Sequence, residues 1–389
     1  MLRLIAADSR PTVLASLVLT LTLVSDAVLY LLLPLFFEDF GLTLLWVGVL
    51  LSANRFVRLL INPWLVPWFQ HFGARTAMIQ AVVLASLASL SFIWLLNPWA
   101  LLAARLLWGS AYALMRLGCL HYATEQPERR MVNLGWYTSL QEVGPLLVLL
   151  LTPLIVDQVS VQAVLVLSFL LCLVAMLPAL ALPRADAEEG ASARARLPWP
   201  NAWHRLTFVL CLLFDGVWTV ILAPLLVAAG WSTAMALTLT SVLLVGKRLF
   251  NMALGFVVVR LDTWQQTGAW LSLAFGLMWL ACVLMALKSV LLASALAIIG
   301  HGLFMILVPR LLSDRAENRI DRQQSLNSFT FWRDLSAAVG ALLAGGLIAW
   351  QVAPVFYGAW GVGLLAMLIP LLMAERKVNR SVNTFDSGA

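Results

Sequence analysis

The feature that most constrains this chain is a succession of apolar runs, each about 20 residues long, that fills most of its 389 residues. A run of that length is what an α-helix needs to cross the hydrocarbon core of a bilayer. Hydrophobic residues make up 62% of the chain and charged residues only 11%, against roughly 25% charged residues in soluble domains. The sequence therefore predicts an all-α integral membrane protein that is solvated by lipid.

The apolar runs are numerous enough for twelve transmembrane helices. A polar segment rich in Ala, Gly, Pro and charged residues, Pro183 to Asn201, separates them into six and six and is predicted to be a linker. We therefore expect an N-terminal six-helix half at residues 1–182, a linker at 183–203 and a C-terminal six-helix half at 204–389. The predicted spans are approximately 12–36, 44–69, 75–96, 99–123, 132–156, 161–182, 204–229, 233–258, 266–287, 290–312, 325–350 and 353–374.

Basic residues predict the orientation of these helices. Lys and Arg concentrate at the two termini and in the connections after even-numbered spans, whereas only Lys288 lies on the other side. Because positively charged loops stay in the cytoplasm, both termini and the linker are predicted to be cytoplasmic, in a bacterial-type inner membrane. The net charge of +6 is spread over many short loops, which is typical of membrane topology and not of nucleic-acid binding.

Residue types that carry enzymatic chemistry form no recognisable pattern in the sequence. The four cysteines lie in apolar runs without CxxC or Cys/His metal spacing, and the four histidines are scattered. No glycine-rich phosphate loop or Ser/His/Asp arrangement is present. We therefore expect no enzyme activity, no cofactor and no metal site, and we interpret the cysteines as small buried hydrophobic residues.

The two halves repeat a pattern of acid, base and asparagine. Span one contains "SDAVLYLLLP" and span seven contains "FDGVWTVILAP"; span two contains "FVRLLIN" and span eight contains "GKRLFN". Such recurrence at equivalent spans is typical of membrane folds built from internal repeats. The residues that carry it are Asp26, Arg58 and Asn62 in the first half and Asp215, Arg248 and Asn251 in the second.

Several local motifs agree with a known architecture. The hairpin "LPLFFEDFGLT" followed by "VGVLLSANR", the R-x-x-x-G pattern of Arg105 to Gly109, and Gly144-Pro145 in span five all have counterparts in one family. A fourth motif, the loop "PWFQHFGARTA", keeps only part of that family's pattern, because it has Gln70 in place of an acid. On these motifs and the six-plus-six arrangement, the chain resembles the major facilitator superfamily of secondary transporters.

The resemblance implies transport of a small organic solute by alternating access, commonly as a monomer surrounded by membrane lipids. Proton-coupled efflux is the first expectation, because Gly144-Pro145, Arg105 and Asp26 resemble features of exporters in the family. The alternative is proton-coupled uptake of an organic anion held by Arg58 and Arg248, since paired arginines from the two halves clamp anions in several members. The alternative from another class is a non-transporting receptor or assembly factor on the same fold.

Polar residues within the spans are the candidates for substrate contacts. Ionisable residues inside a helix bundle face the protein interior or a water-filled cavity, and the planar guanidinium group of arginine suits carboxylate or phosphate groups. The basic residues expected within spans are Arg55, Arg58, Arg105, Lys247 and Arg248. The predicted substrate-binding residues are Arg58, Arg248, Asn62, Asn251, Arg55 and Trp218.

Proton coupling requires a carboxyl group that exchanges a proton near neutral pH, which burial can provide. The predicted proton-coupling residues are Asp26, Glu142, Asp215 and Arg105. Glu142 has no basic neighbour in sequence, so a lone protonated acid is expected there.

The alternative for these charges is structural. Arg58 would pair with Asp26, and Arg248 with Asp215, as buried salt bridges, while Arg55 would reach the outer lipid headgroups. The interpretation that combines site and structure places Arg58 at the site, paired with Asp26 when the site is empty.

Overall fold

The computed structural model describes residues 9–94, 96–184, 202–260, 267–314, 319–349 and 351–366, which are almost entirely helical. In chain order the long helices are α1 Arg10–Phe36, α2 Leu44–Phe72, α3 Ala74–Trp94, α4 Pro98–Thr124, α5 Arg130–Gln158, α6 Val161–Leu180, α7 Ala202–Ala228, α8 Thr233–Arg260, α9 Thr267–Ala286, α10 Val290–Asp314, α11 Arg319–Ala349 and α12 Ala353–Ala366. Helix α6 is interrupted at Ala175, and α7 contains a π-helical segment, Leu212–Val217.

Within the described residues, ten helices are long and apolar enough to cross a membrane. Helix α4 has the length, but Arg105 and Arg116 lower its mean hydropathy. Helix α12 is apolar but shorter over its described part, and the rest of the predicted span 353–374 lies outside the described residues. The predicted all-α membrane fold is therefore confirmed, while the full count of twelve spans remains a prediction.

The predicted boundaries of the two halves and the linker also remain predictions. Residues 185–201, which contain most of the expected linker, lie outside the part of the chain that the structure describes. We therefore refer below to α1–α6 as the N-terminal half and to α7–α12 as the C-terminal half.

Local sequence sets where the helices begin and end. Asn97 caps α4, because its side-chain oxygen accepts the backbone N–H of Trp99 at 2.9 Å, and Pro98 occupies the first helical position, where no N–H is needed. Gly73 follows α2 with φ of 77°, a conformation that lets α3 start directly after it. The short turns explain why neighbouring helices are antiparallel.

Each half is held by contacts among its own helices, and two helix pairs make the most extensive contacts between the halves. In the N-terminal half α1 packs on α5, and α4 packs on both α2 and α3; in the C-terminal half α7 packs on α11 and α10 on α9. The pairs α2–α11 and α5–α8 cross between the halves. The two crossing pairs hold the same positions in a pseudosymmetric arrangement, as expected for repeated halves.

The crossing pairs are closest on the side of the α1–α2 and α7–α8 connections. A Cβ atom placed on Gly48 of α2 would lie 2.8 Å from the carbonyl oxygen of Leu342 in α11, so only glycine permits this approach. On the other crossing pair, the Ser241 hydroxyl of α8 donates to the Leu149 carbonyl of α5. These contacts hold the two halves together on that side and leave a cavity between them further along the helices.

Candidate functional site

The cavity between the halves has a volume of about 710 Å³ and extends along α5 from Leu149 to Gly135, near the α4–α5 connection. Such a volume is ordinary for a small-molecule site. Both halves supply charged and aromatic side chains to it. These are Asp26, Tyr30, Arg55, Arg58, Trp108, Tyr112 and Glu142 from the N-terminal half, and Asp215, Lys247 and Arg248 from the C-terminal half.

Asp26 of α1 is paired with Arg105 of α4. Nη1 of Arg105 lies 2.8 Å from Oδ1 of Asp26, and the side chain of Arg105 is fully buried. Nε of Arg105 also donates to the Leu50 carbonyl at 3.0 Å, and Asn54 donates to Asp26 at 3.0 Å. The predicted pairing of Asp26 with Arg58 is therefore wrong. The basic side chain in contact with the carboxylate is Arg105, which lies on a helix packed against α1.

Asp215 of α7 is paired with Lys247 of α8. Nζ of Lys247 lies 2.6 Å from Oδ1 of Asp215 and 3.2 Å from the Phe214 carbonyl oxygen, so it has two acceptors. His301 of α10 faces the other carboxylate oxygen, Oδ2, at 3.4 Å. The predicted pairing of Asp215 with Arg248 is wrong.

The internal repeat explains why Lys247, and not Arg248, pairs with Asp215. The sequence separation that relates Asp26 to Asp215 also relates Arg58 to Lys247 and Asn62 to Asn251. Lys247, and not Arg248, is therefore the counterpart of Arg58.

Glu142 of α5 forms a hydrogen-bonded ion pair with Arg248 of α8, which joins the two halves. Both side chains are partly exposed, at 27% for Glu142 and 34% for Arg248, so the pair lies at the cavity surface. The expectation of a lone acid is wrong, because Arg248, which is far from Glu142 in the sequence, lies next to it in the folded chain. The pair is one of the direct links between the halves.

Arg58 and Arg55 of α2 have a different environment. Nε of Arg58 donates to the Asn54 carbonyl at 3.1 Å, and its guanidinium carbon lies 4.6 Å from the centre of the Tyr112 ring. The Arg55 guanidinium lies 5.3 Å from the Tyr30 ring and donates to the Asp215 carbonyl at 3.4 Å. Among the side chains that the structure describes, no carboxylate lies within 4.0 Å of either guanidinium group.

These contacts test what the sequence predicted for each of the two arginines of α2. Arg55 faces the cavity, so the expectation that it reaches the outer lipid headgroups is wrong. Arg58 lies at the cavity as expected, but it stacks on a tyrosine instead of pairing with an acid. Cation–π contacts of this kind stabilise a guanidinium without neutralising its charge.

The remaining predicted site residues divide between the cavity and the interior. Asn251 lines the cavity, and the side chain of Asn62 lies outside the described part of the structure. Trp218 does not line the cavity: it is 1% exposed, and its indole N–H donates to Ser294 at 3.0 Å. Trp108 lines the cavity instead, and its ring stacks on Tyr112 at 5.6 Å between ring centres.

Sequence reasoning missed a group of charges on α4 and α11. Arg116 lies 3.8 Å from Asp334, which also pairs with Arg333 at 2.9 Å, so this cluster joins the halves at a second place. The basic residues expected within spans did not include Arg116 and Arg333, although both lie inside helices. The adjacent opposite charges of Arg333-Asp334 were the available signal.

The fold and its charged central cavity define a polytopic membrane transporter and not an enzyme. The chain matches the family model of the Major Facilitator Superfamily over residues 15–333, and it belongs to that superfamily. A search of curated protein sequences finds no match.

Solved structures of two transporters share the fold. The nucleoside transporter NupG is 13% identical, with a TM-score of 0.72, and the alignment covers 94% of this chain and 99% of NupG. A D-xylose-proton symporter is 16% identical, with a TM-score of 0.65, and the alignment covers 93% of this chain and 95% of the symporter.

Proposed function

We propose that this transporter carries a small organic anion together with protons, and that Arg58 and Arg55 form its anion site. The observation that carries the proposal is the distribution of charge around the cavity. Asp26, Glu142 and Asp215 each have a cationic partner, whereas no described carboxylate lies within 4.0 Å of the guanidinium group of Arg58 or Arg55. A charged group inside a membrane bundle is costly unless it is compensated, so an anionic substrate supplies the missing partner.

The chemistry of the two arginines suits a carboxylate or a phosphate. Each guanidinium group presents several N–H donors in a plane, which match the oxygen atoms of such anions. The Trp108–Tyr112 stack lies beside Arg58 and offers an apolar face for the body of the substrate. Asn251 and Gln141 line the same cavity and can bind polar substituents.

Glu142 and Arg248 provide a link between protons and the anion. When Glu142 takes up a proton, Arg248 loses its counter-charge and becomes a third cation available to the substrate. Anion binding and proton binding therefore strengthen each other, and the coupling is reciprocal. A solute and a proton that bind together are carried in the same direction, so the geometry supports symport over exchange.

This proposal favours the second of the two functions expected from the sequence, uptake of an organic anion. Proton-coupled efflux was the first expectation, and Arg105 was one of the three features that favoured it. In the structure, Arg105 is instead fully buried in an ion pair with Asp26. A symporter that uses protons is known on the same fold, in the D-xylose-proton symporter. Arg248 keeps its predicted place in the anion site only after Glu142 is protonated.

A ligand screen by thermal unfolding tests the proposed substrate class. The purified protein is heated with monocarboxylates, dicarboxylates, organic phosphates, aromatic cations and neutral amphiphiles. A free ligand at 100 times its Kd stabilises the folded state by about 2.7 kcal/mol, so binding anions raise the Tm measurably. The effect should be lost in Arg58→Gln and kept in Arg205→Gln, which removes an exposed arginine outside the cavity. Stabilisation by cations, unaffected by Arg58→Gln, would contradict the proposal.

A further inference from the structure

Three potential metal ligands converge in the C-terminal half. Sγ of Cys211, a carboxylate oxygen of Asp215 and a ring nitrogen of His301 all lie within 4.8 Å of one another. Cys211 and His301 are buried, and Asp215 faces the cavity. The sequence gives no hint of this cluster, because Cys211 and Asp215 come from α7 while His301 comes from α10.

The distance between His301 and Asp215 is long for a hydrogen bond. Nε2 of His301 lies 3.4 Å from Oδ2 of Asp215 and 3.8 Å from Sγ of Cys211. A good nitrogen–oxygen hydrogen bond is about 2.9 Å long. Ligand bonds of about 2.0–2.3 Å that point to the corners of a tetrahedron place the ligand atoms about 3.3–3.7 Å apart. The two distances from His301 are thus close to those between ligands of a common ion, and the ligand atoms of Cys211 and Asp215 lie within 4.8 Å of each other.

The local helix geometry produces this convergence. Cys211 directly precedes the π-helical segment Leu212–Val217, which contains Asp215. Two residues four positions apart in a helix of this kind lie on nearly the same face, and here that face meets His301. Single π-helical turns occur frequently at functional sites.

Lys247 does not occupy the position that an ion would take. Its ammonium group bonds to Oδ1 of Asp215, whereas Oδ2 faces His301. One carboxylate can therefore bind an ion through Oδ2 and keep its bond to Lys247 through Oδ1. The other ring nitrogen of His301, Nδ1, is buried without a hydrogen-bond partner among the described residues, so this side chain has no competing contact there.

We propose that Cys211, Asp215 and His301 form a binding site for a divalent transition-metal ion of the Zn²⁺ type. A thiolate, an imidazole and a carboxylate are the ligands that Zn²⁺ takes in proteins, and three protein ligands leave a fourth position open. Because Asp215 lines the cavity, the ion enters from there and the fourth position faces the cavity. On binding, the Cys211 thiol gives its proton to water in the cavity, and the thiolate bonds to the metal.

Calorimetric titration of the chelator-treated, detergent-purified protein with Zn²⁺ tests this site. We expect one ion per chain, with binding weakened more than about 10-fold in both Cys211→Ser and His301→Gln, because even indirect partners of metal ligands are worth 10–100-fold. Cys282→Ser is the matched control, since Cys282 is also buried and free but is not part of the cluster. It should bind Zn²⁺ like the natural sequence.

A second measurement keeps the proposal testable if the buried variants fold poorly. Co²⁺ added to the unaltered protein should give the intense near-ultraviolet absorption of a cobalt–thiolate bond, which Zn²⁺ then removes by displacement. Absence of Zn²⁺ binding, absence of the thiolate absorption, or Zn²⁺ binding that survives both substitutions would overturn the proposal.

Discussion

At the scale of single residues, the cavity is organised by which cation reaches each acid. Arg105 forms an ion pair with Asp26, Lys247 with Asp215, and Arg248 with Glu142. The structural consequence is an excess of positive charge on one helix, α2. The proposed anion site follows from this excess and not from a sequence motif.

The first prediction concerns Arg58. Replacing it by glutamine should raise the Kd for the transported anion by about 10- to 100-fold, because a hydrogen bond to a charged group contributes about 1.5–3 kcal/mol. Arg58→Lys should recover only part of the affinity, since lysine keeps the charge but loses the planar donors that stack on Tyr112. Titration of anion binding by thermal shift measures both; equal affinity in Arg58→Gln and the unaltered protein would refute the role of Arg58.

The second prediction concerns the Asp26–Arg105 pair. Asp26→Leu leaves a fully buried arginine without its acid and should lower the free energy of unfolding by about 3–5 kcal/mol. The double substitution Asp26→Leu with Arg105→Leu removes both charges and should recover much of that loss. Thermal unfolding of the single and double variants in detergent measures the effect. A double variant no more stable than Asp26→Leu would show that the pair is not the source of the loss.

Sequence reasoning identified most of the charged residues at the cavity but not their partners. Asp26, Arg55, Arg58 and Arg248 were found because charges inside apolar runs are rare and easily recognised. Their pairing depends on which helices pack together, and neighbours such as α1 and α4 are far apart in sequence. The same reason hid His301, which is close to Asp215 only in the folded chain.

At the scale of helices, close approach at glycine residues sets how helices pack, both between the halves and within the C-terminal half. Gly48 of α2 lies against the backbone of Leu342 and Gly345 in α11, and Gly216 of α7 lies against Gly340 of the same helix. Each contact brings two backbones together, and a side chain at either position would push the helices apart. Membrane helices commonly pack through small residues for this reason.

The third prediction uses the α2–α11 contact. Gly48→Leu should separate the ends of α2 and α11 and shift the population towards states in which the halves open on that side. Spin labels at cysteines that replace the exposed Leu45 and Leu343 report the distance between α2 and α11, and we expect its distribution to shift to longer values and broaden. Gly276→Leu is the control, because nothing lies within 4 Å of a Cβ placed on Gly276. An unchanged distance in Gly48→Leu would contradict the packing described here.

The helices themselves were largely predictable, for a simple reason. Apolar length determines where a chain can cross a bilayer, and the predicted spans 44–69 and 290–312 fall within α2 and α10. Helices α2 and α5 extend beyond the predicted spans, because charged or polar residues beyond an apolar run do not end a helix. The capping residue Asn97 sets the start of α4. The π-helical turn in α7 has no signature in hydrophobic periodicity.

At the scale of the whole molecule, the two halves are linked by contacts that surround the cavity. The α2–α11 and α5–α8 pairs close one side, while Glu142–Arg248 and Arg116–Asp334 bridge the halves elsewhere. Alternating access requires such bridges to break when the halves rock. In the proposed mechanism, the Glu142–Arg248 pair is the bridge that proton uptake weakens.

The fourth prediction follows from this bridge. Removing the negative charge of Glu142 should release Arg248 for the substrate and tighten anion binding, because proton and anion affinities are reciprocally linked. Glu142→Gln imitates the protonated acid, so its anion affinity should be higher than that of the unaltered protein. Thermal-shift titration of both proteins at the same pH, with an organic sulfonate as the anion, measures this. Equal anion affinity in Glu142→Gln and the unaltered protein would assign the coupling to another group.

Proton movement in liposomes tests the central claim most directly. The purified protein is reconstituted with a pH-sensitive dye trapped inside, and an anion that raises the Tm is added outside. We predict that the interior acidifies as the anion enters, that Arg58→Gln abolishes the signal, and that Arg205→Gln preserves it. Alkalinisation of the interior, or proton flux driven only by cations or neutral amphiphiles, would contradict anion–proton symport.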